Sequence, residues 1–396
     1  MTIGGVQLDD RIAGALEYEA TMGNCAADGL RPLAVAMPEM YDALLAIFGV
    51  TVARPELPRA EREMVTVAML AALGEDAQHL THHAEAALRH GAHPDELRAL
   101  CRHVLVAAGL PRAMNALGIV NQLFAEQGVP PPAAQQRVVV GDHDTVVAHA
   151  GDSGPAVVLV YSAGTDWRMW EPVMTRLASN HRVFAFDVRG HGVSAGAAPP
   201  ISVQQLGDDL ITVLNELELP AAHLVGHAFG GAIALQGALD NPNLCESLVL
   251  LASVDRPSQG SGSQLIDASV GGVDARIAHT LPRWFTPHDL AHNSWGVRYA
   301  RERIRRHQQP QWEAAWKLWE HFDVRARLGK LLKPVLLVAG EHDSVVSPRA
   351  VAAMAEHIPQ ATYRLLPGAT HHQTFNCANA VTSAMEHFYD ALYTRA

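Results

Sequence analysis

The chain has 396 residues, of which 48% are hydrophobic and 18% are charged, and its formal net charge is −11. A chain of this length is expected to form two or three domains that each bury a core. The negative charge, together with the lack of a basic cluster beside aromatic residues, argues against a nucleic-acid partner, and no apolar run is long enough to span a membrane.

Four cysteines, Cys25, Cys101, Cys245 and Cys377, lie far apart and form no CxxC pair. This spacing predicts free thiols in a reducing compartment rather than disulfides or a metal site. The N-terminus has no basic-then-apolar signal pattern. A cytoplasmic protein is the expectation.

Helical periodicity dominates the first part of the chain and predicts an all-α domain over residues 1–128. Proline and glycine mark the boundaries between helices, and acidic residues follow Pro94 in a first turn, where the helix dipole favours them. The predicted helices cover residues 8–22, 33–48, 59–73, 77–90, 94–108 and 112–127. Residues 129–136 contain three consecutive prolines and are predicted to form a linker.

From residue 137 onward, short strands alternate with helices. Runs such as Val157–Tyr161 are continuously apolar, which is typical of strands buried on both faces. Alternation of this kind predicts a mostly parallel sheet with crossover helices over residues 137–396. The predicted strands cover residues 137–140, 145–149, 157–161, 182–186, 223–225, 248–252, 335–339 and 363–366.

The alternation stops between about residues 254 and 333, where five of the seven tryptophans lie. A helical insert between two strands predicts a lid over the site. Trp312, Trp316 and Trp319 are spaced to share one helix face. That spacing fits both the lid's own core and the wall of a pocket.

A nucleophile elbow is indicated by Gly226-His227-Ala228-Phe229-Gly230, which has a short apolar strand before it and a small-residue helix after it. Glycines two places on either side leave room for a strained turn. The residue at the nucleophile position is Ala228, and its methyl group cannot attack a carbonyl.

Two further candidates follow later strands, in the order that a triad of this type requires. Asp343 comes just after the strand at 335–339, and His371, with His372 as the alternative base, comes just after the strand at 363–366. Ligands bind at the carboxyl ends of strands in open α/β sheets. The oxyanion donors are expected to be the backbone N–H groups of Phe229 and Ala163.

These segments identify residues of about 137–393 as resembling the α/β-hydrolase superfamily, and in particular the 3-oxoadipate enol-lactonases. The resemblance is carried by residues 162–170, 187–192, 224–231, 283–286 and 322–325. It implies a small-molecule lactone or ester substrate and no cofactor or metal. The candidate substrate-binding residues are Trp167, Arg168, Trp284 and Trp316, although an arginine at such a position can equally form an ion pair.

Residues of about 33–127 resemble the carboxymuconolactone decarboxylase family, on segments 57–63, 83–97 and 109–113. The resemblance aligns Glu63 and His83 with a glutamate and a histidine of that family and implies assembly through the helices. No CxxC precedes His83, which excludes thiol peroxidase chemistry. Two alternatives stay open: a second site at Glu63 and His83, or a domain that serves homo-oligomerisation alone.

Three hypotheses account for Ala228. It can replace a serine in an otherwise intact hydrolase, as in a variant made to trap substrate. It can be native, with His371 and Asp343 transferring protons beside an oxyanion hole in a lyase, an isomerase or a cofactor-free oxygenase. It can also belong to a non-catalytic binding protein. The intact glycines, acid and histidine favour the first hypothesis.

Overall fold

The computed structural model describes residues 8–23, 26–54, 56–75, 77–258, 261–267 and 270–394. Cys25, one of the four cysteines of the sequence analysis, lies outside these residues. The chain divides into two compact units, Met1–Pro132 and Ala133–Ala396, which we call the helical unit and the sheet unit. No helix among the described residues combines the length and apolar character that crossing a membrane requires.

Apolar helix faces form the helical unit. Val67, Leu80, Leu97 and Phe124 are among the side chains of its core, and each is at most 2% exposed. The described part of this unit contains α1 (Leu8–Met22), α2 (Ala26–Ala36), α3 (Pro38–Thr51), α4 (Arg59–Leu73), α5 (Ala77–Arg89), α6 (Pro94–Ala108) and α7 (Leu110–Glu126).

Proline explains two of the differences between the predicted and the observed helix boundaries. The predicted helix at 33–48 is split between α2 and α3, because Pro38 begins a new helix after Met37. The final helix begins at Leu110 rather than 112, since Pro111 is tolerated in its first turn, where no intrahelical N–H bond is lost.

The sheet unit is built on an eight-stranded sheet, as far as the structure describes it, with the order β1-β2-β4-β3-β5-β6-β7-β8. Pairs involving β2 are antiparallel and all other pairs are parallel. The strands are β1 (Ala134–Val140), β2 (His143–Ala150), β3 (Ala156–Val160), β4 (Arg182–Phe186), β5 (Ala222–His227), β6 (Cys245–Leu251), β7 (Val335–Gly340) and β8 (Ala361–Leu366).

The predicted linker at 129–136 is shorter than expected, because β1 begins at Ala134 and pairs with β2 from there. The backbone hydrogen bonds of that pairing extend the strand through polar residues that carry no apolar signal. The central strands β3, β5 and β7 are buried along their whole length, as expected for strands covered on both faces.

Helices cover the sheet and also form a cap, which we define as residues 252–334 between β6 and β7. Those outside the cap are α8 (Glu171–Leu177), α9 (Val203–Glu216), α10 (Phe229–Asp240), α16 (Pro348–Ala355), α17 (Gln373–Asn376) and α18 (Ala378–Tyr393). The described part of the cap contains α11 (Ser261–Asp267), α12 (Val273–Trp284), α13 (Pro287–Ala291), α14 (Trp295–Arg306) and α15 (Gln309–Glu320).

The tryptophans of α15 belong to the main core of the sheet unit. Trp312, Trp316 and Trp319 are each at most 4% exposed. The rings of Trp312 and Trp316 meet edge to face at 5.4 Å, and Trp319 lies 6.3 Å from Phe229, the first residue of α10. Helix α15 therefore packs its aromatic face against the element that follows the elbow.

Candidate active site

Ala228 sits in a strained turn between β5 and α10. Its φ is +49° and its ψ is −116°, a conformation that costs an L-residue on the order of 1–3 kcal/mol. The surrounding packing holds it, since its N–H donates to Leu251 O and its carbonyl accepts from Ser253 Oγ, both at 2.9 Å. The elbow geometry is thus present although its central side chain is a methyl group.

The glycines of the elbow are required by close backbone contacts. A Cβ on Gly226 would lie 2.4 Å from the carbonyl oxygen of Gly230. One on Gly230 would lie 2.3 Å from the carbonyl oxygen of Val160, at the end of β3. A Cβ on Gly231 would meet the Ser253 hydroxyl at 2.3 Å. Helix α10 can therefore pack this tightly only without side chains at these three positions.

Asp343 and His371 form a buried hydrogen-bonded pair. Asp343 Oδ2 lies 2.9 Å from His371 Nδ1, and His371 is 1% exposed. The other carboxylate oxygen accepts the N–H groups of Val345 and Val346 at 2.8 and 2.9 Å, which fixes its orientation. Because the carboxylate accepts at Nδ1, His371 Nε2 carries the lone pair of a general base.

His227 links this pair to the elbow. It directly precedes Ala228, is fully buried, and its Nε2 donates to the backbone carbonyl of His371 at 2.8 Å. The rings of His227 and His371 are 5.1 Å apart. We call the loop that carries His371 and His372 the histidine loop. It is hydrogen-bonded to the residue directly before the nucleophile position.

The backbone N–H groups at the two predicted oxyanion positions, Phe229 and Ala163, have no acceptor among the described residues. Phe229 is the first residue of α10, so its N–H has no acceptor within the helix. Among the non-helical backbone hydrogen bonds of the described residues, neither Phe229 nor Ala163 is a donor. These are the two positions that the sequence analysis selected.

Two tryptophans of the cap lie against the loop at residues 162–166, which carries Ala163 and which we call the oxyanion loop. A Cβ on Gly164, whose φ is +85°, would lie 2.8 Å from the ring of Trp312 and 3.4 Å from the ring of Trp284. Trp284 also contacts His372, with ring centroids 4.2 Å apart, and its carbonyl accepts from Thr370 Oγ1 at 2.8 Å. The Trp284 ring thus bridges the oxyanion loop and the histidine loop.

Asp166 ties the oxyanion loop to α14 of the cap. Its side chain is 1% exposed. Its carboxylate accepts hydrogen bonds from the Tyr299 hydroxyl at 2.7 Å, from Arg303 Nη1 at 2.8 Å and from the backbone N–H of Arg168 at 3.0 Å. The cap is therefore hydrogen-bonded to the oxyanion loop through α14 and to the histidine loop through Trp284.

Comparison with known protein families identifies the family of each unit. The sequence model described as "alpha/beta hydrolase fold" matches residues 155–376, more than half of the chain. The chain belongs to the alpha/beta hydrolase fold family. The model of the carboxymuconolactone decarboxylase family matches residues 38–122 of the helical unit. Both resemblances stated from the sequence, and the fold class that they imply, are confirmed.

Curated relatives of the hydrolase part carry several activities in their names. A protein of Variovorax paradoxus named as a carbamate hydrolase, RutD, is 30% identical over 60% of this chain and 90% of its own length. 3-Oxoadipate enol-lactonase 2 of Acinetobacter baylyi is 27% identical over 59% and 90%. The crystal structure of an enol-lactonase from Burkholderia xenovorans, 24% identical, superposes with a TM-score of 0.61 over 64% of this chain and all of that one.

The predicted substrate-binding residues occupy different environments. Trp167 is buried, and its backbone N–H donates to Asp187 Oδ1. The Arg168 guanidinium lies 4.7 Å from the Trp167 ring and also pairs with Asp166 at 3.3 Å. Trp284 lies between the two loops of the site. Trp316 is 3% exposed, and its buried indole nitrogen has no hydrogen-bond partner among the described residues.

In the helical unit, Glu63 and His83 meet across α4 and α5. Glu63 Oε2 lies 2.6 Å from His83 Nδ1, and the glutamate side chain is 5% exposed. Arg62 Nε lies 3.7 Å from the other carboxylate oxygen. A cavity of about 450 Å³ is lined by Arg62, Arg54, Leu57 and neighbouring residues. Glu63 and His83 thus form an acid–base pair whose glutamate is buried and whose histidine is 28% exposed, and Arg62 connects this pair to residues that line the cavity.

A second histidine next to the base gives the sheet unit a cluster capable of holding a metal ion. One ring nitrogen from each of His227, His371 and His372 lies within 4.8 Å of the others, and all three side chains are buried. Neither ring nitrogen of His372 has a hydrogen-bond partner among the described residues. The sequence analysis expected no metal and did not identify this cluster, because His227 lies 144 positions from His371 along the chain.

Buried neutral histidines predict a strong dependence of stability on pH. Burial lowers the pKa of His191 and His223 to about 4 and that of His227 to about 3, from an ordinary value of 6.5. Each therefore binds a proton on unfolding below pH 6.5, and the stability that its neutral form contributes is lost as the pH falls towards the folded pKa. Asp187 acts in the opposite direction, because burial and the charge of Asp166 raise its pKa to about 7.

We expect the free energy of unfolding to fall by about 2–3 kcal/mol per pH unit below about pH 6, the slope for a net uptake of about two protons. Urea unfolding followed by circular dichroism at several pH values measures this slope. His223→Gln, far from Ala228 along β5, should reduce the uptake by about one proton. A stability that does not change between about pH 6 and 5 would contradict the neutral state of these histidines.

Proposed function

We propose that the sheet unit contains a serine-hydrolase-type site for a small lactone or ester. Ala228 occupies the nucleophile position of this site and inactivates the chain as given. The observation that carries the proposal is the His371–Asp343 pair beside a strained elbow whose backbone is preserved. In the serine form, residue 228 would attack the carbonyl and His371 Nε2 would take its proton. The N–H groups of Ala163 and Phe229 would stabilise the oxyanion.

The same geometry gives a second candidate function if alanine is native. His371 Nε2 has no hydrogen-bond partner among the described residues, so it can remove a proton from a bound substrate while the oxyanion donors stabilise an enolate. Assay of a panel of lactones and aryl esters with this chain and with Ala228→Ser separates the two functions. Hydrolysis and acylation that depend on the serine support the hydrolase.

We further propose that the helical unit mediates homo-oligomerisation. Val65, Met69 and Leu73 follow one face of α4 and are 48%, 53% and 69% exposed. Leu110 and Met114 on α7 are 59% and 57% exposed. Contiguous apolar side chains of this kind mark interaction surfaces on folded proteins, and a second copy of the same helices offers a complementary apolar face.

A charge on this face should dissociate the oligomer. We expect light scattering after size exclusion to give a multiple of the 42.6 kDa chain mass for the unchanged chain and a smaller species for Val65→Glu, since an unpaired buried charge costs several kcal/mol per interface. Val193→Glu is the matched control, because Val193 is 58% exposed in the sheet unit. Equal masses for the two variants would argue against the α4 face.

We propose Glu63 and His83 as a second catalytic site, on the strength of their 2.6 Å contact and of the partial exposure of His83. Glu63→Gln keeps the shape but removes the charge that orients His83. We expect this variant to lose decarboxylation of carboxymuconolactone-type substrates by at least about 100-fold, the usual range for a general acid–base group. Folding should be retained by circular dichroism. If no decarboxylation is detected in the unchanged chain, the helical unit serves assembly alone.

A further inference from the structure

The proposed triad uses only one of three imidazole rings that lie together beside Ala228. His371 serves the triad, whereas His227 and His372 are further buried rings next to it. The ring centroid of His227 lies 5.1 Å from that of His371 and 4.8 Å from that of His372. One ring nitrogen of each residue lies within 4.8 Å of the other two. Three histidine nitrogens in such proximity are a typical ligand set for a metal ion.

Hydrogen bonds determine which nitrogen carries the lone pair in two of the rings. His371 Nδ1 donates to the Asp343 carboxylate at 2.9 Å, which leaves the lone pair at Nε2. His227 Nε2 donates to the backbone carbonyl of His371 at 2.8 Å, which leaves the lone pair at Nδ1. Histidines that bind metals are oriented in this way, since their second ring N–H donates to a carboxylate or a backbone carbonyl. The triad requires the first of these bonds but not the second.

Nitrogen atoms without partners are concentrated in the same rings. His227 Nδ1 and both ring nitrogens of His372 are buried and have no hydrogen-bond partner in the part of the chain that the structure describes. Buried polar atoms of this kind cost folding free energy unless a water or an ion satisfies them. His223 provides the contrast, because it is also buried in β5 and its two nitrogens contact Ser247 and Tyr393. Burial in this sheet is therefore compatible with a fully satisfied histidine.

The donor atoms determine which class of metal fits. All three are imidazole nitrogens, which suit zinc and similar transition-metal ions, whereas Mg²⁺ and Ca²⁺ require oxygen ligands. In a tetrahedral zinc site each nitrogen lies about 2.0–2.1 Å from the ion and about 3.4 Å from the next nitrogen, so the rings need to approach by less than about 1.5 Å. His372 breaks no hydrogen bond to a described residue when its ring turns.

From these observations we propose that His227, His371 and His372 bind one zinc ion, or a similar divalent transition-metal ion, next to Ala228. Three protein ligands leave the fourth tetrahedral position to water. The ion takes the lone pair of His371 Nε2, so the loaded chain has no general base at this position. This site does not depend on the proposed hydrolase function, because it requires only the ring nitrogens.

Zinc titration of the full chain tests the site. The chain is first freed of metal with a chelator and then titrated in competition with a chromogenic chelator, with overnight equilibration for a buried site. We expect one zinc ion per chain with a Kd of about 1 μM or below. His372→Phe should weaken binding by more than about 100-fold, because loss of a ligand costs more than the 10- to 100-fold loss caused by removing an outer-shell partner.

Two features make these variants suitable. Phenylalanine fits the surroundings of His372, whose ring lies 4.2 Å from Trp284 and 5.8 Å from both Phe285 and Phe375. Circular dichroism checks that this variant folds, and His372→Gln takes its place if it does not. His223→Gln is the matched control, since it removes another buried histidine of the sheet and should leave the zinc affinity unchanged.

Cobalt gives a readout that a change in folding alone does not produce. Tetrahedral Co²⁺ absorbs visible light much more strongly than octahedral Co²⁺ in water, so the absorbance reports coordination geometry. This absorbance should appear with one equivalent of Co²⁺ in the unchanged chain and in His223→Gln, and it should be absent from His372→Phe. Equal affinity and equal absorbance in the unchanged chain and in His372→Phe would overturn the proposal.

Activity separates the metal site from the proposed hydrolase. In Ala228→Ser, one equivalent of zinc should lower ester hydrolysis by at least about 100-fold, because the ion occupies the base, and a chelator should restore it. Full activity of the zinc-loaded serine form would contradict the binding of zinc at His371 Nε2. If Ala228→Ser hydrolyses no ester but the unchanged chain binds zinc and His372→Phe does not, the proposed hydrolase fails while the metal site is supported.

Discussion

Ala228→Ser should convert this chain into a hydrolase that forms an acyl-enzyme. The backbone at residue 228 already has the elbow conformation, and the His371–Asp343 pair and the oxyanion donors surround it. The substitution adds one hydroxyl to a buried methyl and needs no backbone movement. In a serine protease of unrelated fold, loss of the serine alone lowers kcat on the order of 10⁶-fold, so restoring it should raise turnover of a suitable ester by several orders of magnitude.

The measurement is hydrolysis of a lactone and aryl-ester panel, with mass spectrometry to detect acylation of residue 228. His371→Ala in the serine background should remove most of the gain. Ala252→Ser is a matched control, because Ala252 is also buried at a strand end with a φ of +47° but lies outside the elbow. Acylation at 252, or hydrolysis that survives loss of His371, would show that the triad does not act as proposed.

If Ala228→Ser neither hydrolyses nor acylates, the proton-transfer function becomes the stronger proposal. His371→Gln in the unchanged chain would then be the informative variant. It should abolish exchange of an acidic C–H proton of a bound substrate with solvent deuterium, followed by NMR. A bound ligand that exchanges no proton in either form would favour a binding protein instead.

Several elements could be predicted from local sequence to the residue. Helices α4 and α6 and strand β4 have the predicted bounds, because proline, acidic first-turn residues or a clear change of polarity marks both ends of each. The break between α2 and α3 was missed because apolar periodicity continues across Pro38. The start of β1 was missed because its first residues are polar and gain their strand conformation only from pairing with β2.

The candidate site was predictable where residues follow strand ends in chain order, as Asp343 and His371 do. Its surroundings were not, since they depend on the cap. Tyr299 and Arg303 are one turn apart on α14 and more than 130 positions from Asp166, the residue they bind. No local pattern distinguishes them from an exposed helix face. His227 was part of the recognised elbow, yet its bond to the His371 carbonyl becomes visible only in three dimensions.

Asp166→Asn should both destabilise the sheet unit and slow the reaction of the Ala228→Ser form. The substitution keeps the side-chain shape but leaves Arg303 and Arg168 without their carboxylate. Breaking a fully buried ion pair costs 3–5 kcal/mol. Because the two arginine side chains are 24% and 40% exposed, we expect a smaller loss of about 2–3 kcal/mol here. The freed oxyanion loop should lower kcat by about 10- to 100-fold, with a smaller effect on KM.

Two controls separate positioning from stability. Asp209→Asn removes another buried carboxylate that accepts two hydrogen bonds from an arginine, Arg189, at 2.8 and 3.1 Å. It should destabilise the unit by a similar amount and leave kcat unchanged. Tyr299→Phe removes a single hydrogen bond to Asp166, and its effect should not add to that of Asp166→Asn, because both act on one network. An equal fall in kcat for the Asp166 and Asp209 variants would mean that Asp166 only stabilises the fold.

The pH dependence of stability gives a second readout of the same network. Burial is the main reason that the pKa of Asp187 is raised to about 7, and the charge of Asp166 is the next. A carboxyl with a raised folded pKa loses stability as the pH rises from its ordinary range, near 4, to that value. In Asp166→Asn the repelling charge is gone, so the pKa of Asp187 falls and this loss becomes smaller. Urea unfolding of the two forms between about pH 4 and 7 measures the difference. A slope unaffected by the substitution would show that the two carboxyls do not interact, and that Asp166 acts on the oxyanion loop through its hydrogen bonds alone.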